Sequence, residues 1–171
     1  MRIQGGGLIY FIEYDKVRSM KNPRKIKIKI TELKKPASGR VGRKKYNGNE
    51  PLPHEKRTIR CLNEYGFDVE TIIPSNMPGS RNPDILMMGT FWEMKTPQTD
   101  DKETIATHFR KAVKQSGGKA IFDIRYTKNA NSVEKDIMGL FITTRGMRRI
   151  MIIKKGSKSD EDCEKILDIS K

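Results

Sequence analysis

Residues 82–97 contain the charged side chains with the clearest capacity for chemistry, and they read Asn-Pro-Asp-Ile-Leu-Met-Met-Gly-Thr-Phe-Trp-Glu-Met-Lys-Thr-Pro. Two apolar, strand-like runs flank Gly89 and a proline stands near each outer end, a pattern that predicts a β-hairpin. The charged residues inside it are Asp84, Glu93 and Lys95. Two carboxylates and an ammonium group on one surface can hold a divalent cation and stabilise charge that develops on an attacked phosphate.

The turn of this hairpin decides which charged side chains oppose each other. A two-residue turn at Met88-Gly89 places Asp84 opposite Glu93, whereas a turn at Gly89-Thr90 places Asp84 opposite Lys95. Both turns put the three charged side chains on one face, because side chains alternate with period two along a strand. The other hairpin residues are apolar on both faces, which predicts a buried, central hairpin.

A metal ion is the expected partner of this carboxylate pair. Two carboxylates close together on an apolar surface repel each other and lose hydration, so their proximity costs free energy. Magnesium offsets that cost, since it takes one or two carboxylates and completes its shell with water and phosphate oxygens. We therefore expect a divalent metal ion, Mg²⁺ first and Mn²⁺ or Zn²⁺ as alternatives, with Lys95 close to a metal-bound water or to the attacked phosphate.

Two predicted helices flank the hairpin in sequence. The first covers residues 52–65, with Pro53 in its first turn and Gly66 past its end. Glu55 falls on the same stripe as Ile59, so an acidic side chain is directed at the sheet.

The second helix begins at Asp100, with Glu103 three residues later as a capping box, and it ends at two glycines, residues 117–118. Besides its apolar stripe it has a polar stripe, which contains Thr104, His108, Lys111 and Gln115. For His108 we expect an exposed helix position rather than a general base.

Strands predicted at 67–74 and 119–127 complete an order of helix, strand, hairpin, helix and strand over residues 51–127. Pro83-Asp84, eight further residues and then Glu93-Met94-Lys95 resemble the signature of the PD-(D/E)xK nuclease superfamily. The resemblance implies an α/β fold with a restriction-endonuclease-like core of helix, three strands, helix and strand around a mixed β-sheet.

The same resemblance implies roles for the site residues. Asp84, Glu93 and Glu55 would ligate the metal, the Met94 carbonyl would be a further ligand, and Lys95 would position or activate water. Related nucleases place a glutamine or a basic residue of the following helix beside the site. The second-rank site residues are therefore Gln115, Lys111 and His108.

The charge of the chain predicts a polyanionic partner. The net charge is +14 and the pI is about 9.8, which favours nucleic acid, with an anionic membrane as the alternative. Residues 1–50 contain 14 Lys and Arg against 4 Asp and Glu. We interpret them as a basic N-terminal extension, a β-hairpin (8–14 and 25–33) followed by a flexible linker (34–49), and residues 51–171 as the nuclease domain.

A set of basic residues is expected to contact phosphates, mostly within this extension. The set is Lys25, Lys27, Lys29, Arg40, Arg43, Lys44, Lys45 and Arg81. For the alternating lysines of residues 25–29, an edge strand protected by its charges is an equal alternative.

The remaining segments are predicted as a helix (132–141), a strand (147–155) and a short helix (160–169). The two cysteines, Cys61 and Cys163, are far apart in sequence and are expected to be reduced thiols. The chain has no apolar run of membrane-spanning length, and its first residues do not contain a secretory apolar region. We expect its site of action to be cytoplasmic.

The function that we predict is metal-dependent hydrolysis of phosphodiesters by a nuclease. Within the superfamily, residues 50–155 most resemble the tRNA-cleaving C-terminal toxin domains of bacterial contact-dependent growth inhibition systems, which implies a tRNA substrate and a cognate inhibitor protein. One alternative is a DNA endonuclease of restriction, repair or mobile-element type with the same active site. A second is a non-catalytic nucleic-acid-binding module, against which the intact Asp84, Glu93 and Lys95 argue.

Overall fold

The computed structural model describes residues 9–14, 26–48, 50–155 and 163–171. Within these residues the strands are β1 (Ile9–Tyr14), β2 (Ile26–Leu33), β3 (Lys44–Lys45), β4 (Val69–Thr71), β5 (Ile85–Met87), β6 (Thr90–Lys95), β7 (Lys119–Asp123), β8 (Arg149–Lys155) and β9 (Cys163–Ser170). The helices are α1 (Pro53–Glu64), α2 (Lys102–Ser116) and α3 (Ala130–Thr143).

The described strands form one mixed sheet in the order β1-β2-β9-β8-β7-β6-β5-β4-β3. The pairs β6-β7, β7-β8 and β3-β4 are parallel, and the others are antiparallel. The fold is therefore mixed α/β. Residues 51–127 run α1, β4, β5, β6, α2 and β7, which is the element order expected from the sequence.

Helices cover the two faces of the sheet unequally. Helices α2 and α3 pack on one face, where Phe109 and Phe122 stack with ring centroids 5.6 Å apart. We call this the α2 face. Helix α1 packs on the other, the α1 face, where Ile59 and Leu62 lie with Trp92. No helix in the part of the chain that the structure describes is long and apolar enough to cross a membrane.

Both flanking helices lie where their sequence patterns placed them, with one difference at the start of α2. The expected capping residue was Asp100, but the N-cap is Asp101, whose side chain accepts a hydrogen bond of 2.7 Å from the Thr104 N–H. Asp100 instead accepts hydrogen bonds from the backbone N–H groups of Lys128 and Asn129. Either of these adjacent acidic residues could cap the helix. Asp100 binds the loop before α3, so Asp101 is the residue that caps α2.

The C-terminal segment is a strand rather than the short helix that we expected. Strand β9 pairs with β8 and β2, so its backbone groups bond on both sides. Ile166 is buried on the α1 face, whereas Leu167 and Ile169 are buried on the α2 face. The spacing of these apolar residues fits a helix stripe as well as a two-sided buried strand, and pairing decides between them.

The N-terminal segments belong to the same sheet as the predicted nuclease domain. The β1-β2 hairpin forms as expected, β2 also pairs with β9, and Ile28 of β2 is fully buried. The segment expected to be a flexible linker is held in place, since β3 pairs with β4 and the Gly42 N–H donates to the Asn63 carbonyl at 2.7 Å. The sheet therefore continues across the predicted boundary at residue 50.

Helix α1 is fixed by a buried ion pair that the sequence did not identify. Asp123 accepts two hydrogen bonds from the Arg125 guanidinium, at 2.8 and 2.6 Å, and one of 2.7 Å from the Thr58 hydroxyl. All three residues are at most 1% exposed. Burial opposes the charge on Arg125, but its hydrogen bonds to Asp123 outweigh this and hold its pKa above the usual arginine value.

The expectation of reduced thiols is wrong. Cys61 is disulfide-bonded, and Cys163 is the only other cysteine of the sequence. Cys61 is buried on the α1 face in the same apolar cluster as Ile166 of β9. The sheet therefore brings the chain around position 163 toward α1, although the two cysteines are distant in sequence.

Candidate active site

The hairpin of β5 and β6 has the first of the two turns that the sequence allowed. Met88 and Gly89 have φ values of 55° and 68°, as a type I′ turn requires. Ile85 pairs with Trp92, Leu86 with Phe91 and Met87 with Thr90.

This register places Asp84 opposite Glu93. Glu93 and Lys95 pair with Ala120 and Phe122 of β7, whose side chains are buried on the α2 face. The candidate site therefore lies on the α2 face of the sheet.

Toward its tip the hairpin is buried on one face only, so the expectation of a hairpin buried on both faces along its whole length is wrong. Ile85 and Trp92 are fully buried on the α1 face. On the opposite face Phe91 is 52% exposed, and Met88 at the turn is 42% exposed. Helix α2 covers β6 and β7, and the tip of the hairpin extends beyond it.

Asp84 is tied to β6 through both backbone and side chain. Its N–H donates to the Trp92 carbonyl at 3.1 Å, and its Oδ2 accepts from the Met94 N–H at 2.6 Å. The N–H and C=O of one strand residue project to the same edge, so the Met94 carbonyl is directed toward the Asp84 side of β6. Burial raises the pKa of Asp84, the Met94 N–H opposes that rise, and the charge of Glu55 adds to it.

Glu93 is the most strongly perturbed acid of the site. It is 1% exposed, and burial, reinforced by the charge of Asp84, raises its pKa from 4.5 to about 7. The Lys95 ammonium opposes this rise by donating a hydrogen bond to Glu93 Oε1. Glu93 Oε2 is buried and meets no hydrogen-bond donor.

Helix α2 contributes the polar side chains expected of it. Lys95 Nζ also contacts Gln115 Oε1 at 3.3 Å, so Gln115 lies beside the site. His108 is half-buried rather than exposed, and its Nδ1 is buried without a partner. Burial lowers the pKa of His108, with smaller contributions from the charges of Lys95 and Lys111. Lys111 is exposed at the margin of this group.

Glu55 is close to the carboxylate pair but does not join it. Its Oε2 accepts a hydrogen bond of 2.8 Å from the Leu52 N–H at the start of α1. Its charge reaches Asp84 and contributes to the raised pKa there. Across residues 9–14, 26–48, 50–155 and 163–171, no three His, Cys, Asp or Glu side chains are grouped to hold a metal ion. The role of Glu55 as a metal ligand stays a prediction.

The residues present nevertheless fit a magnesium-type ion. Such an ion needs only one or two carboxylates, because water and substrate oxygens complete its shell. Asp84 and Glu93 supply that pair, and Glu93 Oε2 is a buried oxygen without a donor. Burial raises the pKa of both acids, and a bound cation would oppose that rise.

The basic residues expected to bind nucleic acid are divided between two edges of the sheet. Lys27 and Lys29 are exposed on β2, four strands from β6 and on the α1 face, and Lys25 lies outside the described residues. Four of the predicted basic residues are exposed at or next to the β3 edge, namely Arg40, Arg43, Lys44 and Lys45. The Arg81 guanidinium lies against Gly117, just past the end of α2. A Cβ added at Gly117 would be 2.7 Å from Arg81 Nη1.

Two features of this region were not predicted from the sequence. In the sequence, Asp123 and Arg125 were only two charged residues on one face of a predicted strand. Their spacing of two residues was the one sign that they could form an ion pair. Phe91 was counted as core. Phe91 lies near the start of β6, beyond the part of the strand that α2 covers. A single sequence does not show where that cover ends.

Comparison with known proteins finds similarity over the part of the chain that contains the candidate site. The family model described as "Contact-dependent growth inhibition CdiA C-terminal domain" matches residues 81–158. This segment contains Asp84, Glu93, Lys95 and Gln115, and it is less than half of the chain. No curated protein matches the chain.

A solved structure has a similar fold. It is a chain of the "CdiA-CT/CdiI toxin and immunity complex from Burkholderia pseudomallei", with a TM-score of 0.52 and 18% sequence identity. The match covers 67% of this chain and 93% of the solved one. The likeness shows that the two chains share their mixed α/β fold.

Proposed function

We propose that this chain is a metal-dependent nuclease of the restriction-endonuclease-like type, acting as a toxin that cleaves tRNA. The observation that supports this most is the carboxyl pair of Asp84 and Glu93, with a raised pKa at each acid and Lys95 bonded to one of them. Perturbed acids next to a fixed cation at a partly open surface are typical of a catalytic site. In the residues that the structure describes, neither a histidine pair nor a nucleophile triad accompanies them.

Each site residue has a distinct task in this proposal. Asp84 and Glu93 would hold the divalent cation, which when bound would lower the pKa of a water and polarise the phosphate. Lys95 presents its N–H groups to the negative charge that develops on the phosphate oxygens. Gln115 fixes the Lys95 ammonium through its side-chain oxygen, so that the donor is oriented before the substrate binds.

The substrate and the partner follow from charge and similarity. A net charge of +14 favours a nucleic acid of high charge density. The similarity of residues 81–158 to a growth-inhibition toxin domain supports a toxic nuclease, and tRNA is our proposed target. The similar solved chain is part of a toxin and immunity complex, which supports a cognate inhibitor protein as a further partner. The cytoplasm of a target cell is the proposed site of action.

The test is a cleavage assay on defined substrates. Purified protein is incubated with total tRNA, a folded mRNA and duplex DNA, each with Mg²⁺, Mn²⁺, Zn²⁺ or a chelator. We expect metal-dependent cleavage of tRNA that is lost in Asp84→Ala and Lys95→Ala. The matched control is Glu103→Ala, because Glu103 is an acid on α2 whose side chain is 90% exposed.

Two results would contradict the proposal. Preferential cutting of duplex DNA would replace the tRNA assignment by that of a DNA endonuclease. Unchanged cleavage in Asp84→Ala would remove the site from the reaction altogether.

A further inference from the structure

A row of side chains crosses the open part of the sheet on the same face as the carboxylate pair. Lys45 pairs with Glu70, Glu70 with Leu86, and Leu86 with Phe91. Paired residues on neighbouring strands project to the same side, so these four side chains form one line across β3, β4, β5 and β6. Helices α2 and α3 cover the sheet from β6 onward, and α1 lies on the other face.

This row ends beside the candidate site. Phe91 and Glu93 are two residues apart on β6, so they share a face and lie about 7 Å apart along the strand. Phe91 is 52% exposed, whereas Glu93 is 1% exposed. An aromatic ring is thus presented to solvent next to a buried acid, with the half-buried Leu86 as its neighbour on β5.

The surroundings of this row are suited to a polyanion. A groove of about 1170 Å³ extends from Leu86 and Met88 to the β3 edge. Its charged lining residues are Arg40, Arg43, Lys44, Lys45, Asp68 and Glu70, a set with more positive than negative charges. The Arg43 and Lys45 side chains are 88% and 68% exposed. Their ion pairs with Asp68 and Glu70 lie at the surface, where such pairs contribute little to stability.

We infer that a single strand of nucleic acid lies across β5, β4 and β3, with one unpaired base stacked on Phe91 and the following phosphates on Lys45 and Arg43. This rests on the proposed function, because it names the substrate path of that same site. Base stacking on an aromatic platform tolerates any base, and the basic edge follows the backbone. The distance from β6 to β3 is three strand spacings, about 14 Å, which a few nucleotides of unpaired strand cover.

The experiment separates base contacts from phosphate contacts. Affinities are measured without metal for an oligouridylate and for an abasic oligomer of the same length and charge. Phe91→Leu should weaken oligouridylate binding roughly tenfold and leave the abasic oligomer unaffected, while Phe91→Tyr should keep most of the affinity. Lys45→Ala should weaken the binding of both oligomers. It should also reduce the salt dependence of binding by the equivalent of about one released counterion.

Two matched controls accompany these variants. Lys135→Ala removes an exposed lysine from α3, and Val41→Ala trims an apolar side chain that is 62% exposed outside the row. Equal affinity of wild type and Phe91→Leu for oligouridylate would overturn the inference and assign the exposed ring to a protein partner. Because these measurements need no metal and no cleavage, a failure of the proposed nuclease activity would be seen separately in the cleavage assay.

Discussion

Replacing Glu93 by glutamine should stabilise the metal-free protein at neutral pH, although it removes a proposed metal ligand. Glutamine keeps the shape of the protonated acid and cannot ionise. Glu93 is buried beside Asp84, and its pKa is raised from 4.5 to about 7. The folded state therefore holds a proton at Glu93 over a range of pH in which the unfolded chain has released it.

The sign and size of the effect follow from this difference. A raised pKa gives stability that is fully present below the unfolded value and is lost as pH rises toward the folded value. The free energy of unfolding of the wild type should thus fall between about pH 4.5 and 7, by about 3 kcal/mol at 1.4 kcal/mol for each pKa unit. Asp84 shares the titration, since its pKa is also raised, which broadens the pH range over which the loss occurs.

The assay is urea unfolding at a series of pH values with a chelator present. The wild type should lose stability across the range, and Glu93→Gln should lose much less, so that the variant is the more stable protein above pH 7. Glu103→Gln, the same change at a 90% exposed position of α2, should follow the wild type. Added Mg²⁺ should raise the stability of the wild type and not of Glu93→Gln, because only the former has both acids to bind it.

Three outcomes would refute this reasoning. Parallel pH curves for wild type and Glu93→Gln would mean that Glu93 titrates normally and is not buried beside a second charge. A less stable variant at pH 7.5 would mean that the hydrogen bond from Lys95 outweighs desolvation. Equal stabilisation of both proteins by Mg²⁺ would place the ion elsewhere.

Two further predictions concern the elements that hold the site. Asp123→Ala should cost about 3 to 5 kcal/mol of unfolding free energy because it leaves Arg125 buried and unpaired. The double variant Asp123→Leu with Arg125→Met should cost much less, and equal losses in urea unfolding would contradict this. Met88→Asn should raise stability by about 1 kcal/mol, since Met88 has φ of 55° and is 42% exposed, and asparagine adopts that conformation more easily. A lower melting temperature for Met88→Asn would show that the Met88 side chain contributes packing.

The sequence was most informative where spacing and local chemistry act together. The hairpin, the two flanking helices and the common face of Asp84, Glu93 and Lys95 followed from period two, a glycine turn and the residues that begin and end the helices, whereas the choice between the two hairpin registers came from the structure. Gln115 lies on the polar stripe of α2, and its position beside the site was what the resemblance to nucleases implied. These features depend on residues close in sequence, or on the single assumption of a two-residue turn.

Features that depend on distant pairing were not predictable in this way. Residues 163–170 form a strand because β2 and β8 are available on either side. The local sequence of this segment gives no sign of that pairing. The same pairing places the basic hairpin at one edge of the sheet, so that Lys27 and Lys29 lie far from the carboxylates. The disulfide at Cys61 has the same origin, because only the packed sheet brings distant parts of the chain together.

The position of the site on β6 explains how it can be both perturbed and reachable. If α2 covered the whole strand, Glu93 would be desolvated but closed to a polymer. If α2 covered none of it, its carboxyl would remain hydrated and would titrate near the ordinary glutamate value. Strand β6 passes from the exposed Phe91 to the buried Glu93 within two residues, so the limit of helix coverage falls between them. In the proposed function, a substrate would approach along the open strands while the carboxyl pair stays in a desolvated environment, where a bound cation would offset its charge.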